Sequence, residues 1–266
     1  MTGITQDNES RLELVDSHCH LDFPLFDDVR ESLISTCFQS GIKKFIVPGI
    51  TAATWPRLQF VSKIHPSIYP AYGLHPYFLH EHRLDHVVKL KTFLSENSAV
   101  AVGEIGLDYY LDNPDKQLQQ AIFSAQLEVA RELKLPVILH VRKAHDDVLF
   151  FLKKHNVIGG VVHAFNGSFQ QATRYIDLGF KLGFGGALTF DRARNLRKLA
   201  SQLPLDVILL ETDSPDMLPA NYSEKYNTPL TTLTALQKMS EVRTESIVEI
   251  ANQTTQNCYS IFSISD

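Results

Sequence analysis

Cysteine is scarce in this chain of 266 residues, and the three present, Cys19, Cys37 and Cys258, form no Cys-x-x-Cys pair. An odd number without paired spacing excludes a disulfide framework and fits a reducing compartment. No run of about 18 apolar residues occurs, and the opening stretch MTGITQDNESRLELVD lacks the apolar centre of an export signal. The expectation is a cytoplasmic protein, neither exported nor membrane-bound, with no obligate protein partner evident. An excess of basic charge is also missing: 25 Lys and Arg stand against 30 Asp and Glu, a net charge of −5. That excludes a generally basic protein coating nucleic acid. Contact with a phosphate chain would be confined to a site where metal ions bring the positive charge. No Gly-x-Gly-x-x-Gly follows the first apolar run, which removes the usual dinucleotide-binding signature. No low-complexity segment or linker divides the chain.

What is present is an alternation. Short β-rich apolar runs fall at 12–18, 44–50, 67–75, 99–107, 136–142, 159–165, 179–186 and 206–212, separated by longer amphipathic stretches. In DKQLQQAIFSAQLEVARELK, Leu118, Ile122, Ala125, Leu127, Val129 and Leu133 roughly trace an apolar stripe. The tail TESIVEIANQTTQNCYSIF reads as a closing helix, with Ile247, Ile250 and Ala251 on one face and Asn257 near its end. Repeated βα units without a linker predict an α/β protein, a TIM-type (β/α)8 barrel in a single domain. It is expected to occupy 12–266, after a flexible segment at 1–11.

Histidines and carboxylates recur at the carboxyl ends of the apolar runs, where the loops of a barrel converge. His18 and His20 follow the first run, and i, i+2 spacing on a strand turns both rings the same way. Cys19 then points to the opposite side and packs under the helices, while Asp16 shares the histidines' parity and is expected to accept a ring N–H. Glu104 sits between Gly103 and Gly106, His140 and His163 end the fifth and sixth runs, and Asp213 ends the eighth. Any one of these suits a structural strand-end role. Together they suit a first-row divalent metal such as zinc, manganese or nickel, with magnesium possible at an oxygen-rich position. The candidates outnumber what one catalytic ion takes from protein, so two divalent ions sharing a carboxylate are expected.

The ordered motifs DSHCHLD (16–22), GLHP (73–76), VGEIGLDYY (102–110), VILHVRKA (137–144), VVHAFNGS (161–168) and LLETDSP (209–215) span most of the chain. In this set the sequence resembles the TatD family of metal-dependent deoxyribonucleases, within the amidohydrolase-like barrel superfamily. The resemblance implies that His18 and His20 hold one metal with Asp213. It implies that Glu104 bridges to a second metal held by His140 and His163, and that Asp213 accepts the proton of the attacking water. It places His75 at the mouth, against a substrate phosphate. The implied activity is metal-dependent hydrolysis of phosphodiester bonds, exonuclease-type, with DNA as substrate. The chain departs from the family pattern in the loop MLPANYSEKYNTP, where Asn227 and Pro229 have unusual surroundings. It departs again in LDNPDKQ, which has no basic residue before Lys116.

Arg142 shares the parity of His140 and is either a bidentate phosphate ligand or a solvent-exposed arginine. Glu211 shares the parity of Asp213 and either orients a metal ligand or is a satisfied buried acid. Asp22 and Asp108 receive no role, and His65, His80, His82, His86, His145 and His155 read as surface residues. A competing enzyme reading is an amidohydrolase-type C–N hydrolase, or an acyl-ester hydrolase such as an aminoacyl-tRNA deacylase. Many C–N hydrolases of this type bridge their metals with a carbamylated lysine from the fourth strand. No lysine lies between Ala99 and Asp108, which favours the phosphoesterase. A metal-dependent binding or scaffold protein is the remaining class, disfavoured by the complete ligand set.

Overall fold

The computed structural model describes residues 13–112 and 115–264; the expected flexible segment at 1–11 lies outside them. Among the described residues every expected run overlaps a strand: β1 (Leu14–Asp16), β2 (Ile42–Pro48), β3 (Ile68–Tyr72), β4 (Ala101–Asp108), β5 (Val137–Arg142), β6 (Gly160–Val162), β7 (Phe180–Phe184) and β8 (Ile208–Leu210). They pair in sequence order, all parallel, in one eight-stranded sheet. The edges meet through the Ser17 N–H on Leu210 O at 3.0 Å and the Asp213 N–H on His18 O at 2.8 Å. The result is a TIM-type barrel.

Alternation along the strands divides the apolar residues between two layers. Val15, Ile46, Ala71, Ala101, Ile138, Val161 and Leu209, from seven of the strands, cluster with Cys258, Tyr259 and Phe262. Those last three belong to the closing helix (Ile247–Phe262), which packs against this inner cluster. Ser246 and Glu249 form a capping box at its start, and the buried Asn257 donates to Leu205 O and Ile208 O, both at 2.8 Å. Residues of the other parity, such as Phe45, Tyr72, Leu139 and Leu182, pack outward against the helices, and Cys19 joins them fully buried.

The helix expected in the DKQLQQ segment spans Lys116–Leu133, the fourth in the chain after Arg30–Gln39, Trp55–Ile64 and Leu84–Glu96. The Asp115 carboxylate caps its first turn by accepting the Leu118 N–H, and Lys134 closes it in the left-handed conformation. Its apolar stripe is interrupted by two buried glutamines. Gln126 accepts the Leu74 N–H at 2.7 Å, and Gln119 exchanges hydrogen bonds with the backbone of Asp108 at 2.8 and 2.9 Å. This helix therefore pins the ends of β3 and β4, from which the loops of the site depart.

Candidate metal centre

His18 and His20 lie beyond the end of β1, which stops at Asp16. The chain continues locally extended, with the Ser17 and Cys19 N–H groups bonded to Leu210 O and Ile46 O on either side. The two imidazoles consequently turn to the same side although no strand carries them. Asp16 does not accept a ring N–H, contrary to the expectation from parity. Its Oδ1 accepts the backbone N–H of His18 at 3.2 Å and of Thr212 at 3.0 Å, and Oδ2 lies 2.6 Å from the Thr212 hydroxyl. It therefore ties the turn after β1 to the end of β8. Burial raises its pKa to about 8, against the lowering effect of the Thr212 hydroxyl.

Glu104 is buried at the centre of the cluster. Its Oε2 faces His18 Nε2 at 3.2 Å, while Oε1 faces His75 Nε2 at 3.1 Å and His140 Nδ1 at 3.3 Å. Asp213 Oδ1 stands 3.5 Å from His18 Nε2 and 3.6 Å from His20 Nε2, and its Oδ2 stands 3.5 Å from His163 Nε2. Asp213 is in the left-handed region at φ 58°, a strained conformation for a residue with a Cβ. The ring of His163 stacks on His18 with centroids 3.6 Å apart. All the expected ligand residues thus meet at one barrel face, with His163 on the Asp213 side of the cluster and His140 on the Glu104 side.

His75 lines the cleft over the cluster. It is buried, its Nδ1 accepts the Tyr77 N–H at 3.0 Å, and Nε2 therefore carries the proton it donates to Glu104. A ring used at both nitrogens orients the carboxylate rather than offering a lone pair, although His75, Glu104 and His140 are close enough to surround an ion. Asp108, four residues beyond Glu104 and so on its face, places Oδ2 3.0 Å from His140 Nε2. Glu211 places Oε1 3.0 Å from His163 Nδ1. Carboxylates behind imidazoles in this way fix ring orientation and leave the opposite nitrogen free to ligate. The role of Asp108 was legible in the parity of β4, where Glu104, Gly106 and Asp108 alternate with apolar residues.

The donor set fits divalent ions. Nitrogen and oxygen ligands about 2.0–2.2 Å from an ion sit roughly 3–3.5 Å from one another, close to the 3.2–3.6 Å separations around His18, His20, Glu104 and Asp213. Both ring nitrogens of His18 are buried without an aligned hydrogen-bond partner among the described residues, a costly state unless a ligand engages them. The sequence model of the family described as TatD related DNase matches residues 15–263. The chain belongs to the TatD family. It is 39% identical over 253 residues to the uncharacterized metal-dependent hydrolase YjjV of Escherichia coli (strain K12), covering 94% of this chain and 98% of that protein. The metal-dependent hydrolase YabD of Bacillus subtilis (strain 168) is 31% identical over 253 residues, covering 94% and 99%. The crystal structure of YjjV, a TatD homologue, superposes with a TM-score of 0.92 at 38% identity, over 96% of this chain and 99% of that one. A TatD family protein of Entamoeba histolytica, at 19% identity and a TM-score of 0.82 over 94% and 97%, shares the fold.

In this TatD-family hydrolase the acids of the cluster remain charged. Burial pushes the Glu104 carboxyl up, but His75, His18 and His140 outweigh it and hold the group well below the usual carboxylate range. Asp213 is treated the same way, with burial opposed chiefly by His163. Burial opposes charging His140, yet Asp108 and Glu104 raise its pKa to about 9. A cleft of about 610 Å³ opens over the cluster, walled by Phe23, Tyr77, Phe78, Phe165, Phe184 and Met217. Arg142 also lines it, exposed, with its guanidinium 3.9 Å over the ring of Tyr110. Asn227 does not face the cleft; it is buried and ties the 216–229 loop to Thr212 O at 2.9 Å and to Thr231. Two histidines expected on the surface are buried. His82 bonds His75 O at 2.9 Å, and His145 lies between the Tyr175 hydroxyl and Asn166, both at 3.2 Å. No helix among the described residues is long and apolar enough to cross a membrane.

Proposed function

We propose that the protein is a metal-dependent phosphodiesterase acting on DNA ends, with two divalent ions drawn from zinc, manganese, nickel or magnesium. The observation that carries this reading is Glu104, whose two oxygens face different imidazoles, His18 on one side and His140 on the other. His18, His20 and Asp213 would hold one ion, His140 and His163 the other, with Glu104 shared. Ions held there would polarise phosphoryl oxygens and bring the pKa of water from about 15.7 toward 7.

The chain's own groups then have distinct tasks. Asp213, 18% exposed at the cleft and kept ionised by its histidine neighbours, accepts the proton of the water that attacks phosphorus. The P–O ester bond breaks, and the departing oxygen leaves with a proton from solvent. Arg142 meets the non-bridging oxygens, for which a planar guanidinium is well shaped. Asp108 and Glu211 hold His140 and His163 in register, and His75 does the same for Glu104.

Metal-stripped protein, reloaded with manganese, magnesium or zinc and given end-labelled single-stranded DNA, tests the reading against a panel of amides and aminoacyl esters. Metal-dependent cleavage of DNA that is lost in Asp213→Asn is expected. Intact DNA under every metal, together with hydrolysis of an amide or acyl ester, overturns it.

A further inference from the structure

The charged groups lining the cleft are unevenly committed. Among the described lining residues the carboxylates are Glu104, Glu211, Asp213 and Asp216, and Arg142 is the single permanent cation. Glu104 and Asp213 face the imidazoles of the cluster, and Glu211 accepts the Ala164 N–H at 2.6 Å. Asp216 differs. Its backbone N–H is bonded to Asp213 O at 2.8 Å, which fixes the turn, but its exposed carboxylate accepts no hydrogen bond and forms no ion pair among the described residues. It projects from the turn after β8. Arg142 ends β5, three strands away around the rim, with β6 and β7 between them. The acid–histidine cluster lies at the base of the same cleft, with Glu104 on the strand beside that of Arg142 and Asp213 three residues before Asp216.

The cleft therefore has a cationic wall and an anionic wall on either side of the reacting position. Resting on the phosphodiesterase reading above, we infer that Asp216 is a specificity-determining residue that selects strands ending in a free hydroxyl and rejects strands ending in a phosphomonoester. A substrate with its scissile phosphate at the cluster and its next phosphate toward Arg142 directs its terminal group at Asp216. An uncommitted carboxylate accepts a hydrogen bond from a hydroxyl. It repels a terminal phosphate, which carries about −1.5 to −2 charges at neutral pH, because apposed like charges are unfavourable.

The test uses metal-loaded protein and four single strands of one sequence, with hydroxyl or phosphate at the 3′ end and hydroxyl or phosphate at the 5′ end. At the end from which it degrades, the wild type is expected to prefer hydroxyl over phosphate by about tenfold or more in kcat/KM. The preference shrinks as ionic strength rises. In Asp216→Asn the ratio falls toward one, whereas Asp216→Glu, which restores the charge, retains a preference; thermal melts confirm that both variants fold. Cleavage without end preference in the wild type, or an unchanged ratio in Asp216→Asn, overturns this inference alone. No cleavage of any strand by the wild type overturns the phosphodiesterase reading and this inference with it.

Discussion

The Oε1 atom of Glu211 lies 3.0 Å from Nδ1 of His163 while accepting the backbone N–H of Ala164 at 2.6 Å. The carboxylate reaches this position across residue 183 of the neighbouring strand, where a Cβ would overlap its Oε2. The contact between Glu211 and His163 thus depends on a glycine that brings no side chain to the site.

Gly183→Ala is expected to displace the Glu211 carboxylate and release the His163 ring. Loss of a group behind a metal-binding imidazole typically costs about 10–100-fold in activity or metal affinity, and overpacking adds about 1–3 kcal/mol of destabilisation. Glu211→Gln, which keeps the volume, should lose the activity without the overpacking. Steady-state kinetics beside urea melts check both, and wild-type turnover in Gly183→Ala would falsify the dependence.

Asp213→Asn should remove the proton acceptor while keeping the fold, because Asn tolerates the left-handed backbone at this position. A fall of about 10²–10⁴-fold in turnover is expected, with an unchanged circular dichroism spectrum. Loss of folded structure instead would show that the acid serves stability first.

Divalent metal should stabilise the protein through the unengaged ring nitrogens of His18 and the acids around them. At about 100 times the dissociation constant, ligand binding adds about 2.7 kcal/mol, which for a chain of this size is a rise of roughly 5–10 °C in Tm. Scanning fluorimetry with chelator and with each metal measures it. A Tm indifferent to every metal contradicts a metal centre here.

Asn257→Ala leaves Leu205 O and Ile208 O without their donor at the closing helix. Buried groups left unpaired cost about 1–3 kcal/mol each. The variant should therefore unfold at distinctly lower urea while keeping its turnover per folded molecule, since the closing helix lies outside the cleft lining.

His82 gives a pH dependence. Burial, then the neighbouring histidines, lowers its pKa to about 4. Between that value and about 6.5, the unfolded chain binds a proton that the folded protein refuses. Stability from this group is present above about 6.5 and is lost as pH falls toward 4. His82→Gln, which keeps a donor for His75 O, should flatten the fall relative to wild type in melts across that window. Parallel curves for the two proteins would show that His82 does not contribute.

The sequence by itself determined the barrel and the membership of the cluster. Apolar runs alternating with amphipathic ones leave few ways to bury both faces of a parallel sheet, and the carboxyl ends of parallel strands converge whatever their exact lengths. His18, His20, Glu104, His140, His163 and Asp213 were legible for that reason, even though β1 proved too short to hold the histidines. Only the tertiary structure decided who faces whom. Asp16 meets Thr212 across the barrel closure, Gln119 and Gln126 reach from a helix to the backbone of the strand ends, and His75 is drawn under Glu104. These contacts join residues far apart in the chain, and parity along one strand carries no information about the residue opposite. The same holds for Asp216, an ordinary loop acid by sequence, whose carboxylate is seen to lack a hydrogen bond or ion pair among the described residues only once the other acids of the cleft are seen to be engaged.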